Sequence, residues 1–466
     1  MRSMVKTAGF AIAAGFLSVA HAEFSVGFGR MDITPPLGTE LSGYSERRVS
    51  DGVLDPLDAI AIAFSDGTNK AVVISCDIIN LRAYFDLYRK GVAAETGLDP
   101  QAVFIACTHT HTGPMVGAST YGQRFDNFDR ASIYEKSLTG RLASAVKLAL
   151  ADLSPAKLSY ARGEAKGISF IRRYRMKDGT CKTNPGVGNP DIVAPMSKPD
   201  EQVQLMRVDR PGKDSVAIVN FQCHPDTIGG CKISADWPRV VRETVERVLD
   251  GVKCVLINGA QGDSNHICTD PTRIVPGKKS KRAHIHMGRV IAGSVIGLWD
   301  VCRPVEAGKV NFGIVSAKVK TNRGKPEELP EAKRIMDLVR AGRHSEVPGV
   351  GMQRTTNAAN ARRIEYLANG PDYFEFPLSA VTIGGTLAFV GFPGEPFTGY
   401  GISMKGKSPF AMTIPACIVN GNFGYLPVDE AFKETGYETQ GSLFCEGLEK
   451  TITEEHLRQL NRLIER

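Results

Sequence analysis

Short apolar runs alternate along this chain with stripes of helical period. The runs at 59–64, 71–75, 103–106, 216–220, 255–258 and 386–390 are brief and bounded by turn formers, which predicts strands buried on both faces. Between them, Leu81, Tyr84, Phe85, Tyr88 and Val92 share one face of a predicted helix that Gly97 stops. Leu138, Leu142, Ala145, Val146 and Ala149 make a second stripe. Asp236 is placed to cap a third helix, with Pro238 in its first turn and Val241, Val245 and Val248 on its inner side. Thr453 opens a last helix carrying Leu457, Leu460 and Ile464. Such alternation predicts an α/β architecture, a mixed β-sheet core with surrounding helices, with the site at strand ends. Residues 163–202 and 342–362 are rich in Gly, Pro, Arg and Asn and weakly periodic, so they are expected as loops at the rim of that site. No repeat or low-complexity linker divides the chain, and its length fits one large domain or two ordinary ones.

Residues 1–22 add a location. Arg2 and Lys6 precede an uncharged stretch that ends in Ala20-His21-Ala22, the pattern of a cleaved secretory signal peptide, with a retained anchor as the alternative. The expected mature protein, 23–466, is therefore secreted or periplasmic, with at most peripheral membrane contact. Losing those two basic residues lowers the formal charge from +7 to +5, too small an excess to support nucleic-acid binding. The densest basic run, Lys278-Lys279-Ser280-Lys281-Arg282, reads as a solvated loop or as a contact for an anionic surface. Ten cysteines in an exported chain make disulfides plausible, notably a bridge from Cys223 to Cys231 around His224. The alternative is that Cys76, Cys107 and Cys254 are buried small residues on strands.

The chemistry starts at Cys107-Thr-His-Thr-His-Thr-Gly-Pro114, directly after an apolar run. His109 and His111 are two residues apart, so in an extended backbone both imidazoles face one point beyond the strand end, a natural metal seat. A second strand exit gives Asn220-Phe-Gln-Cys-His-Pro-Asp226, in which His224 precedes proline. A third gives Ile257-Asn-Gly-Ala-Gln-Gly-Asp-Ser-Asn-His266, where Asp263 and Asn265 can orient a proton or a substrate group. The fourth holds Glu395 between Gly394 and Pro396, and Tyr425 and Tyr437 follow in loop-like surroundings.

Taken in order, Asp32-Ile-Thr-Pro, Thr108-His-Thr-His-Thr-Gly-Pro, His224-Pro, Asn258-Gly-Ala-Gln-Gly-Asp, Pro393-Gly-Glu and Gly424-Tyr425 resemble the neutral/alkaline ceramidase family over nearly the whole mature chain. The resemblance implies a mixed α/β zinc hydrolase acting on amides. It places Zn2+ on His109, His224, Glu395 and Tyr425 and makes His111 a neighbour that shapes the reaction. Tyr437 becomes a helper at the reacting carbonyl, and Arg172, or adjacent Arg173, a substrate contact. Two departures stand out. Ceramidases carry a serine two residues after the aspartate of the Gly-Asp motif, whereas this chain has Asn265 there, with Ser264 one place earlier. The chain also ends soon after its last helix, so no C-terminal immunoglobulin-like domain is expected.

Zinc chemistry needs no serine, because a bound Zn2+ brings the pKa of water to about 7. The expected activity is cleavage of an N-acyl bond in a small-molecule or lipid amide, with His111 or Asp263 handling protons and Tyr437 or an arginine meeting the oxyanion. The alternatives are true ceramidase activity, hydrolysis of a polar sugar-like compound or an ester, and a zinc-stabilised relative that only binds.

Overall fold

Three successive stretches of the chain build the same four-stranded pattern, and that repetition fixes where a site can lie. The computed structural model describes residues 23–465 apart from 45, 82–83, 117–127 and 274–281. In the first unit, β1 (Ser25–Asp32), β2 (Asp58–Ser65) and β3 (Lys70–Cys76) pair antiparallel, and β4 (Val103–Cys107) then lies parallel to β3. The second unit repeats this with β5 (Lys157–Glu164), β6 (Gln202–Asp209), β7 (Ser215–Phe221) and β8 (Val252–Asn258). The third uses β9 (Val310–Lys320), β10 (Tyr373–Ile383), β11 (Leu387–Gly391) and β12 (Met412–Ala416).

A parallel pair needs a crossover, and in each unit a helix supplies it. These are α1 (Phe85–Thr96), α3 (Trp237–Val248) and α7 (Thr398–Lys407). After β4 the chain continues into α2 (Phe128–Ala151), and after β8 into α4 (Ala283–Leu298). The third unit inserts a helical hairpin, α5 (Leu329–Arg340) and α6 (Met352–Leu367), between β9 and β10. It closes with the short α8 (Tyr437–Gly441) and with α9 (Leu448–Ile464).

Each strand has two apolar faces because it serves two cores. Along β2, Ile60, Ile62 and Phe64 enter a central cluster shared by all three sheets, while Ala59, Ala61 and Ala63 join the cluster that includes Leu138, Leu142 and Val146 of α2. Phe389 of the third unit meets Phe64 and Phe104 of the first at ring-centroid distances of 5.9 and 6.3 Å. Such aromatic pairs contribute about 0.5–1.5 kcal/mol each beyond their area burial. The outer faces of the second and third sheets are covered in the same way, by α3 with α4 and by α7 with α9. α2 lies so close to β1 that a Cβ on Gly27 or Gly29 would fall 1.9 or 2.1 Å from the carbonyl oxygens of Ala149 and Ala145.

The structure changes several expectations. The threefold repeat leaves no sequence periodicity, because any apolar residue of suitable volume satisfies a doubly buried strand position. Segment 163–202 is a small layer of strands: Arg173–Met176 pairs with Cys181–Thr183 and Ile192–Pro195, and Phe170–Ile171 pairs with Ser264–Asn265. Much of 342–362 is α6, which packs on α5 and reaches α8, where Arg363 Nε donates to the Gln440 carbonyl at 2.9 Å. Tyr84 caps α1 and is exposed, as are Val248 and Ile464, because each sits at a helix end beyond the packed stripe. The last helix begins at Leu448, one turn before Thr453. All ten cysteines are free thiols, so the bridge from Cys223 to Cys231 is not formed. Cys76, Cys107 and Cys254 are buried on strands, and burial pushes their thiols well up. Residues 1–22 and 278–281 lie outside the described residues. No helix among the described residues is long and apolar enough to cross a membrane.

Two predictions follow from this packing. Gly29→Ala should lower stability by about 1–3 kcal/mol, the usual cost of overpacking, because a helix backbone blocks the new methyl. An unchanged urea midpoint would show that α2 can shift at little cost. The second concerns His456 of α9, fully buried against Phe392 at a ring-centroid distance of 5.0 Å. Burial pushes its imidazole down to about 4, against the raising effect of Gln459 and the Gly391 backbone. The unfolded chain protonates this side chain near 6.5, so between pH 6.5 and 4 the unfolded state binds more protons. Its contribution is complete above about pH 6.5 and falls by about 3 kcal/mol as pH drops to 4. Urea midpoints of His456→Leu should therefore depend less steeply on pH across this window than those of wild type.

Candidate metal centre

The carboxyl ends of the three parallel strand pairs point to one place, the position at which open α/β sheets hold ligands. β4 leads to His109 and His111, β7 to His224, β11 to Glu395, and the segment after β12 to Tyr425.

Backbone carbonyls decide how the two buried histidines present themselves. His109 sits in left-handed backbone at φ 75°, held by its N–H to the Ile78 carbonyl at 3.0 Å. Its Nδ1 lies 2.9 Å from the Ile79 carbonyl. His224 Nδ1 lies 2.9 Å from the Gln261 carbonyl and 3.0 Å from that of Ser264. A carbonyl only accepts, so in both rings Nδ1 carries the proton and Nε2 presents a lone pair. Burial and Arg172 push His224 down, which keeps it neutral near pH 7.

Both lone pairs converge on Glu395. Its Oε2 lies 3.4 Å from His109 Nε2 and 3.2 Å from His224 Nε2, is buried, and receives no hydrogen bond. Three acceptors facing one another, with Arg172 Nη1 reaching His224 Nε2 at 3.4 Å, are an arrangement that a cation satisfies, and two imidazoles with a carboxylate suit zinc. The site therefore fits the metal that the sequence pattern implies.

His111 belongs to the same cluster. The ligating nitrogens of His109, His111 and His224 all lie within 4.8 Å of one another, and neither ring nitrogen of His111 has a hydrogen-bond partner. Burial and His109 push its imidazole well down. A hairpin tip covers this ring: Gly43, at φ 112°, leaves no room for a Cβ, and Tyr44 meets His111 edge-on at 5.4 Å. Arg48 donates to the His111 carbonyl at 2.6 Å and stacks on Tyr44 at 4.2 Å.

Tyr425 is brought in by pairing, since Glu395–Pro396 and Tyr425–Leu426 form a two-stranded parallel ribbon with Glu395 opposite Tyr425. Its ring lies against His224 at 6.5 Å and against Tyr437 at 5.3 Å. Burial and Glu395 raise its phenol well above the ordinary value, while Arg172 lowers it. Arg172 donates from Nε to Glu438 at 2.7 Å and from Nη2 to the Gly262 carbonyl at 2.8 Å, and its Nη1 lies 3.4 Å from His224 Nε2. Arg173 turns elsewhere, stacking on Phe397 at 5.2 Å and donating to the Thr435 carbonyl.

The side-chain hydrogen bonds of three more residues named from sequence lead away from the imidazoles. Asp263 accepts from the Thr398 backbone at 2.7 Å and from Ser197 at 3.0 Å, which anchors the start of α7. Asn265 donates to Asn184 and accepts from the Ile267 backbone, both at 3.0 Å. Ser264 bonds the Gln261 carbonyl at 3.4 Å, and the atoms of this turn that touch His224 are carbonyls. Sequence reasoning assigned no part to Tyr44, Arg48, Glu438 or the pair of Asp226 with His266, which meet at 3.0 Å. Burial lowers His266 and raises Asp226, but their mutual bond reverses both, so His266 is raised and Asp226 is held well down. Only the adjacency of Asp226 to His224 and of Glu438 to Tyr437 hinted at these groups.

No protein-family model and no curated protein matches this sequence. Among solved structures, the chain is similar to the crystal structure of neutral ceramidase from Pseudomonas aeruginosa. The TM-score is 0.70 at 16% identity, over 95% of this chain and 75% of that one. It is likewise similar to a ceramidase complexed with C2, at the same TM-score and identity, over 95% of this chain and 76% of that one. At this identity the likeness establishes a shared fold.

The geometry predicts that His109→Ala and His224→Ala each hold less than about a tenth of the metal that the wild type binds, because each removes one of the converging donors. Elemental analysis of folded, dialysed protein checks this, and full retention in both variants would exclude the centre.

Proposed function

We propose that this chain is an exported zinc-dependent hydrolase that cleaves an N-acyl amide bond, a relative in function as well as fold of the neutral ceramidases. The observation that carries this reading is the convergence of His109 Nε2 and His224 Nε2 on Glu395 Oε2, a buried oxygen that receives no hydrogen bond. His109, His224, Glu395 and Tyr425 are the proposed zinc ligands. When bound, zinc supplies Lewis acidity, which makes water nucleophilic near neutral pH and polarises the acyl carbonyl.

The chain's own residues supply the rest. Fixed Nδ1–H···O=C bonds orient both imidazoles before any ligand arrives. Arg172 and Tyr437 both lie against the Tyr425 ring, each at 5.3 Å, and are the proposed donors to the acyl oxygen. His111, neutral and without a hydrogen-bond partner, is the proposed acceptor of the proton released when water attacks. Asp263 and Asn265 act through the backbone, holding the turn whose carbonyls orient His224.

A second reading narrows the substrate. Asn265 stands where ceramidases have serine, and its amide donates to Asn184 and accepts from Ile267. No hydroxyl is available at that point, which favours an N-acyl compound other than ceramide. The signal-like segment 1–22 supports an exported location, and the mixed charge supports a small amide, not a nucleic acid, as partner.

Zinc-loaded mature protein should be assayed against ceramide in detergent, N-acyl amino sugars, small N-acyl amides and esters. We expect amide turnover that Glu395→Ala abolishes. His111→Ala should keep its zinc and lose turnover by about 100-fold or more, the usual weight of general-base catalysis. Absence of turnover on every amide and ester by fully loaded protein would leave a zinc-binding relative without catalysis. Loss of zinc from His111→Ala would move that histidine into the ligand set.

A further inference from the structure

We infer that Glu438 is a positioning residue for the metal centre, one that neutralises and holds Arg172 so that a divalent cation can sit beside a buried guanidinium. The inference rests on the zinc reading above and adds a residue that neither the sequence pattern nor the likeness in fold points to. Arg172 is almost fully buried, with Nη1 3.4 Å from His224 Nε2, the nitrogen proposed to face zinc. An unscreened guanidinium at that distance would repel a divalent ion strongly in a low-dielectric interior. Glu438 answers that charge. Its side chain is wholly buried and takes Arg172 Nε at 2.7 Å on Oε1 and the Thr183 hydroxyl at 2.6 Å on Oε2.

Geometry also makes Glu438 a lever. With Nε held by Glu438 and Nη2 by the Gly262 carbonyl, the guanidinium cannot swing, and only Nη1 is turned to the centre. Glu438 rides on α8 beside Tyr437, and Arg363 of α6 fastens the end of that helix through the Gln440 carbonyl. Arg173 Nε lies 3.7 Å from Glu438 and its Nη2 3.5 Å from Glu434, so the second arginine has a carboxylate of its own.

The test is zinc affinity, measured by competition with a chelating dye on full-length mature protein whose fold is checked by circular dichroism. Outer groups of this kind change metal affinity by about 10–100-fold, so Glu438→Gln should bind zinc weaker by that factor. Arg172→Gln, which removes the guanidinium nearest the centre and keeps the Glu438 carboxylate, should bind at least as tightly as wild type. The double variant, Arg172→Gln with Glu438→Gln, removes both charges and should return to within about threefold of wild type. A purely structural role would weaken binding in all three. If Glu438→Gln fails to fold, Arg172→Gln alone decides: binding at least as tight as wild type supports the inference, and binding weaker by about tenfold or more overturns it. Wild-type affinity in folded Glu438→Gln, or a double variant as weak as Glu438→Gln, would overturn the inference while leaving the zinc reading intact. A wild-type protein that binds no zinc would overturn both.

Discussion

One buried amide, that of Asn258, holds the three units in register at the point where the site begins. Its Nδ2 donates to the carbonyls of Thr108 at 2.9 Å and Cys223 at 3.2 Å, the residues just before His109 and His224. The backbone carbonyl of the same residue accepts from the Cys417 N–H at 3.0 Å, in the third unit. Strand ends there would otherwise leave backbone groups unpaired in a dry interior, at a cost of about 1–3 kcal/mol each. Asn220 and Asn420 make similar bridges, from β7 to the Pro415 carbonyl and from the third unit to Ile105 and Val103. Apolar packing can bring three sheets together at many offsets, whereas these amides accept one.

That registration gives the centre its character. A histidine at the surface is free to choose tautomer and rotamer, but His109 and His224 meet carbonyls on one side and each other's lone pairs on the other. The carboxylate of Glu395 closes the group from the third unit, and Tyr425 follows because its two-residue strand pairs with that of Glu395. Acceptors crowded in this way disfavour one another, and the strain is tolerated because the surrounding sheets cannot relax independently. Positive charge is supplied nearby but held in place: Arg172 is restrained by Glu438, and the guanidinium of Arg48 is turned to the carbonyls of Ser42 and His111.

Much of the fold was legible where one face or one period governs. The runs at 59–64, 71–75, 103–106, 216–220, 255–258 and 386–390 all fall within or across long strands, because a doubly buried strand is apolar throughout. Gly97 ends α1 in left-handed backbone and Asp236 caps α3, since both acts are local. The layer within 163–202 was not legible, because strands of two to four residues have no period and are stabilised by partners far along the chain. The insert α5–α6 escaped in part for a similar reason: α6 buries only alanines, Thr356, Arg363, Ile364 and Leu367 against α5 and α8, a stripe too polar to recognise in isolation.

For the site, the sequence by itself determined the donors: an imidazole pair after one strand, a histidine before proline after another, and a glutamate between glycine and proline. Backbone conformation at a strand exit depends on the few residues around it, so these could be read in order. Tertiary structure decided what they do together. It set the tautomers, through the carbonyls of Ile79, Gln261 and Ser264, and it chose Arg172 over Arg173 for the centre by closing Glu438 and Gly262 around the first. It also set the Asp263 carboxylate against the Thr398 backbone at the start of α7. Lone pairs, dipoles and charges act over a few ångströms of space, and sequence neighbours say nothing of which distant carbonyl will occupy them.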